Sequence, residues 1–133
     1  NNGRSAFLSA KLWELFSLLL EREKYSINYV DMALDCIHSE YMYDLTIEKL
    51  ASRLALDHSY FSSIFKKEMG KSFISYLTDY RMDIAAEMML NTTEKSYIIA
   101  EKVGYLDANY FSYVFKKRFG MSPSKYRNEH LKK

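Results

Sequence analysis

The sequence predicts an all-α fold: two helix-turn-helix subdomains joined by a long connecting helix and preceded by an extra apolar N-terminal helix. Three observations carry this prediction. Apolar residues recur at helical spacing through most of the chain, and no alternating run bounded by turn residues marks a strand. Only four glycines and one proline interrupt the 133 residues. The stretch Asp57 to Gly70, DHSYFSSIFKKEMG, returns as Asp107 to Gly120, DANYFSYVFKKRFG, with eight of fourteen positions unchanged. Agreement of that order is an internal repeat. Each copy opens on an aspartate suited to an N-cap and closes on a glycine suited to a left-handed C-cap.

The opening NNGR carries no initiator methionine and no targeting pattern, so the chain is expected to begin at a domain boundary. Residues 1–28 read as an N-terminal linker or dimerisation-type helix, strongest from Ser5 to about Lys24, with Leu8, Leu12, Leu15 and Leu19 spaced four, three and four apart, a stripe that either packs on the rest of the chain or offers a dimer seam or docking surface. Its apolar run includes Lys11 and Glu14 and falls short of the ~20 residues needed to span a bilayer. A second helix from about Tyr29 to Tyr41 presents Val30, Leu34, Ile37 and Tyr41 and is expected to brace the first helix-turn-helix.

Thr46 caps a short helix with Ile47, Leu50, Ala51 and Leu54 on one face, which turns into the capped helix at Asp57. That is the first helix-turn-helix, about 46–70. A connecting helix of about 72–90 shows Phe73, Leu77, Tyr80, Ile84 and Met88 as one continuous apolar stripe. The second helix-turn-helix, about 96–120, repeats Leu50-Ala51-x-x-Leu54 as Ile99-Ala100-x-x-Val103, with a turn one residue longer in which Gly104 can take the positive φ such a turn requires. Ser122-Pro123 opens a final helix, about 122–131, where Tyr126 matches Tyr76 of the first half.

Composition narrows the function classes. With 48% hydrophobic and 16% aromatic residues the chain can build a core. Its single cysteine, Cys36, allows no internal disulfide and suits a reducing cytoplasm. His38 lies roughly opposite Cys36 around a helix, so no metal site is expected. No catalytic residues converge, no glycine-rich phosphate loop occurs and no cofactor is expected; methionines such as Met82, Met88 and Met89 read as core filling. Net charge is only +2, but it is unevenly spread: residues 1–43 carry −2 and residues 44–133 carry +4. The basic part holds the repeat.

The face of each repeated helix that the core does not need is the candidate site. In the first copy Phe61, Ile64, Phe65 and Met69 form the buried stripe, leaving His58, Ser59, Ser62, Ser63, Lys66 and Lys67 outside. In the second, Phe111, Val114, Phe115 and Phe119 are buried, leaving Ala108, Asn109, Ser112, Tyr113, Lys116 and Lys117. Short hydrogen-bonding groups at the helix tip and cations along its flank suit base edges and phosphates respectively. A merely solvated surface could look like this once; its repetition favours double-stranded DNA.

These residues resemble a known family, the DNA-binding domain of AraC/XylS-type bacterial transcriptional regulators. The resemblance covers about Asp44 to Glu129. It rests on Ile99-Ala100-x-x-Val103-Gly104-Tyr105, Tyr110-Phe111-Ser112-x-x-Phe115-Lys116-Lys117-x-Phe119-Gly120, Ser122-Pro123-x-x-Tyr126-Arg127 and Arg81-Met82-x-x-Ala85. Ile98 stands where the family often has an acidic residue and Ser96 where an aliphatic one is usual.

The resemblance implies that residues 29–133 form such a domain, with a recognition helix from each subdomain in the major groove of adjacent turns. It puts base reading on His58, Ser59, Ser62 and Ser63, and on Ala108, Asn109 and Tyr113. Lys66, Lys67, Lys116 and Lys117 are expected on phosphate. Implied partners are an operator duplex, RNA polymerase, an N-terminal effector-sensing domain outside this chain and a second copy in the full-length protein. Two other readings are a DNA-repair alkyl-acceptor protein using Cys36 and a helical protein-interaction module using the N-terminal helix.

Overall fold

The computed structural model describes residues 11–15 and 28–131. Among the described residues there are seven helices outside the first segment and no strand: α1 (Tyr29–Glu40), α2 (Ile47–Arg53), α3 (His58–Met69), α4 (Phe73–Asn91), α5 (Ser96–Lys102), α6 (Ala108–Phe119) and α7 (Pro123–Leu131). Residues 11–15 are helical, with Leu12, Trp13 and Leu15 exposed. The rest of the N-terminal helix expected from Ser5 to Lys24 lies outside the described residues.

Local chemistry sets the helix starts. A side-chain oxygen of Asn28, Thr46, Asp57, Ser72, Asp107 or Ser122 accepts a backbone N–H from the first turn of the adjoining helix, at 2.9–3.2 Å. Each bond satisfies a donor that the helix itself leaves unpaired. α5 alone among these helices has no such cap, since Lys95 precedes it. Gly70 and Gly120 end α3 and α6 at φ 77° and 80°, with their N–H groups donating to Lys66 O and Lys116 O.

The helices enclose two cores in sequence order. The first gathers Val30, Ala33 and Ile37 of α1 with Leu45, Leu50, Ala51, Phe61, Phe65, Phe73 and Leu77. The bracing role expected of the Tyr29 helix is therefore real, and Cys36 is half-buried against this core. The second gathers Met82, Ala85, Ala86, Met89, Ile99, Ala100, Val103, Phe111 and Phe115. The two halves repeat their packing in detail. Tyr76 meets Phe65 edge-on at 5.8 Å, and Tyr126 meets Phe115 edge-on at 5.4 Å.

The connecting helix departs from the sequence expectation. Phe73, Leu77, Tyr80, Ile84 and Met88 do not form its single buried stripe; Tyr80, Ile84 and Met88 are only half-buried. Phe73 and Leu77 enter the first core, whereas Met82, Ala85, Ala86 and Met89 enter the second. Between Leu77 and Met82 the buried face turns by about 140°, at ~100° per residue. A helix that serves two cores on different sides cannot show one stripe.

Candidate nucleic-acid interface

Both helix-turn-helix units bend through the same bonds. Leu56 N–H donates to Ala51 O, and Tyr105 N–H donates to Ala100 O, each at 2.8 Å. The bend needs a left-handed residue, supplied by Ala55 at φ 55° and by Gly104 at φ 100°. The extra residue of the second turn is thereby identified as Leu106, whose side chain is fully exposed.

The turns present α3 and α6 with their phenylalanines inward. Phe61, Phe65, Phe111 and Phe115 are completely buried. On α3, His58, Ser59, Ser62, Ser63, Lys66 and Lys67 are all exposed on the other side. On α6, Asn109, Tyr113, Lys116 and Lys117 are exposed, while Ala108 and Ser112 are half-buried, so the second helix offers fewer open positions at its tip than the first.

The exposed Tyr113 ring has an aromatic neighbour. It stacks on Tyr110 at 6.4 Å, and Tyr110 leans on Tyr105 at 6.0 Å. Among the described residues no carboxylate pairs with Lys66, Lys67, Lys116 or Lys117. Four cations near the C-terminal ends of two capped helices are thus available to an anionic partner.

Other charged side chains are engaged within the protein. Arg118 grips Asp83 in bidentate fashion at 2.9 and 3.1 Å and also reaches Asp79 at 3.1 Å. Asp79 pairs in addition with Lys71 at 2.8 Å. The hydrogen bond with Asp83 holds the Arg118 guanidinium above its ordinary pKa. Arg53 on Glu40 depresses that carboxyl, and Lys49 on Asp44 does the same there. Sequence reasoning missed the internal duty of Arg118. A signal existed, because position 118 is basic where its counterpart in the first copy, Glu68, is acidic.

Cys36 does not fit a nucleophile. Burial, followed by the charge of Glu40, pushes its thiol pKa up, and the thiolate is the reactive form. Among the described residues there is no cluster of His, Cys, Asp and Glu able to hold a metal ion.

Residues 50–129 match the family model of a helix-turn-helix domain. The chain belongs to the AraC-type helix-turn-helix family. Among solved structures, this AraC-type domain is similar to the C-terminal domain of AraT, a response regulator from Geobacillus stearothermophilus. The TM-score is 0.75 at 42% identity, covering 77% of this chain and 85% of that one. Among curated proteins it is 39% identical over 102 residues to the uncharacterized HTH-type transcriptional regulator YtdP of Bacillus subtilis, covering 77% of this chain and 13% of YtdP. It is 32% identical over 121 residues to the lactose operon transcription activator of Staphylococcus xylosus, covering 91% of this chain and 42% of that protein. The AraC-type domain thus spans less than half the length of either curated relative. Its family ties it to DNA binding in transcription regulation.

Proposed function

We propose that the chain is the operator-reading part of a larger transcription activator, with α3 and α6 entering the major groove on adjacent turns of double-stranded DNA. One observation carries this reading: a capped helix with a buried phenylalanine pair and an exposed polar, basic face occurs twice, in the same bent unit. His58, Ser59, Ser62 and Ser63 then read base edges from α3, and Ala108, Asn109 and Tyr113 from α6. Hydroxyl, amide and imidazole groups suit hydrogen bonding there, while the Tyr113 ring and the Ala108 methyl suit apolar contact with a thymine methyl. Lys66, Lys67, Lys116 and Lys117 bind phosphate and set register.

The connecting helix, α4, has 19 residues. At ~1.5 Å per residue it spans about 28 Å, of the order of the ~34–36 Å that separates successive major-groove faces. An effector-sensing domain N-terminal to the chain, RNA polymerase and a second copy of the protein complete the assembly in this proposal, and the cytoplasm is its compartment. Among the described residues no helix is long and apolar enough to cross a membrane. The chain acts as a binding module, not as an enzyme.

Selection of bound sequences from a random duplex pool, combined with footprinting, tests the reading. Two protected segments on one face, about 10 to 10.5 base pairs apart centre to centre, are expected. Indifference to sequence, or a single protected segment, overturns it.

A further inference from the structure

We propose that Arg81 is the positioning residue that locks the second reading helix to the first. Arg81 sits on α4, yet its partners belong to neither the recognition helices nor α4 itself. Its Nε donates to Tyr41 O at 2.6 Å and its Nη2 donates to Tyr43 O at 2.7 Å. Both carbonyls lie in the connection between α1 and α2, which is part of the first subdomain. The same guanidinium lies over the Tyr105 ring, 5.7 Å from its centroid, and Tyr105 belongs to the turn that aims α6.

The two backbones also touch without the arginine. A Cβ added at Gly104 would stand 3.2 Å from the carbonyl oxygens of both Tyr41 and Met42 and 3.4 Å from Arg81 Cζ. Tyr41 packs on both cores. Arg81 is therefore a clasp between the approach to the first reading unit and the bend of the second.

The chemistry suits a fixed angle. A guanidinium is a planar fork, and two charge-assisted bonds to two carbonyls define an orientation as well as a distance. An ammonium has no such plane. Elsewhere the subdomains are joined by Arg118 and Lys71 on Asp79, but the side chains of those pairs are 31–44% exposed and the pairs are hence weakened by salt. The Arg81 Nε bond to Tyr41 O is part-buried and less screened, while the Nη2 bond to Tyr43 O is exposed. The two cores sit on different sides of α4, and beside the continuity of that helix the Arg81 Nε bond is a less screened lateral contact than the Asp79 pairs.

The proposal rests on the two-helix DNA reading, and its test separates the two. The 133-residue chain and its Arg81→Met and Arg81→Lys variants are titrated with a duplex recovered by the parent from random sequence. The same duplex with one or two base pairs added between the protected segments, and each segment alone, complete the series. Circular dichroism establishes that each variant is folded, and Arg81→Lys serves if the methionine variant is not.

One added pair is expected to weaken the parent about tenfold and Arg81→Met less than about threefold, with the lysine variant behaving like the methionine one, because the added pair must otherwise be absorbed by deforming DNA. Affinity for single segments should be unchanged. Identical spacing profiles in parent and folded variants, with both segments still protected, overturn the clasp. So does a uniform loss at every spacing, which makes Arg81 a general stabiliser. A parent footprint on one segment alone brings down the two-helix reading first, and the clasp with it.

Discussion

Ala55 and Gly104 do the same job at the two bends, but only one of them is suited to it. A left-handed conformation costs an L-residue about 1–2 kcal/mol, and Ala55 stands there at φ 55°. Ala55→Gly should therefore raise stability by up to about 1 kcal/mol, part of the strain relief being offset by the greater chain entropy of glycine. A thermal melt should show a gain of a few degrees; a loss would mean that the Ala55 methyl makes contacts worth more than the strain. The reverse change, Gly104→Ala, meets two carbonyl oxygens as well as the conformational penalty and should destabilise. Asn109 belongs to this scale too. An asparagine amide can bond adenine through two atoms, so Asn109→Ala should lose about 1–3 kcal/mol on one site and relax preference at a single base pair. Competition titrations against single-base variants of the site read this directly. A loss equal on all sequences would move Asn109 to the sugar-phosphate backbone.

At the scale of the element, the recognition helices were legible because their rules are local. Cap, phenylalanine spacing, lysine pair and terminal glycine sit within fourteen residues, and the structure keeps all of them. The connecting helix was not legible in the same way. Met82, Ala85, Ala86 and Met89 are buried by a core that forms only when α5 and α6 fold back, and no window along α4 contains that fact. Ala108 shows the same limit in miniature: spacing along the helix places it on the outer face, yet it is half-buried. The lysine pairs carry a prediction of their own. Each of Lys66, Lys67, Lys116 and Lys117 that touches phosphate should contribute roughly 0.9 to the slope of log affinity against log salt. Alanine replacements should flatten that slope stepwise with little change in base preference. Four variants with the parent slope would leave the lysines as solvated charges.

The whole molecule was readable through the repeat, which gave two units, their order and their separation in sequence. It could not give the contacts that hold the units together, because Arg81 bonds to backbone carbonyls and a carbonyl carries no sequence signature. Two reading helices held by such contacts must find their targets in phase. Adding about 5 base pairs between the two segments turns one of them to the far side of the duplex, and engaging both then requires DNA deformation of order 1–6 kcal/mol. Footprints on the original and extended sites should show one segment losing protection. Equal protection of both would mean units that swing independently.

The duplicated halves are unequal in one further respect. α1 is built into the first core alone, while α7 packs on α4 and α6 beside the second. A head-to-tail pair with different ends has a heading. On the proposed target such a domain lies along the duplex as an arrow does, and inverting the site reverses the arrow. The N-terminal end of α1 then turns toward the opposite flank, so the strand on which a site is written is itself part of the message.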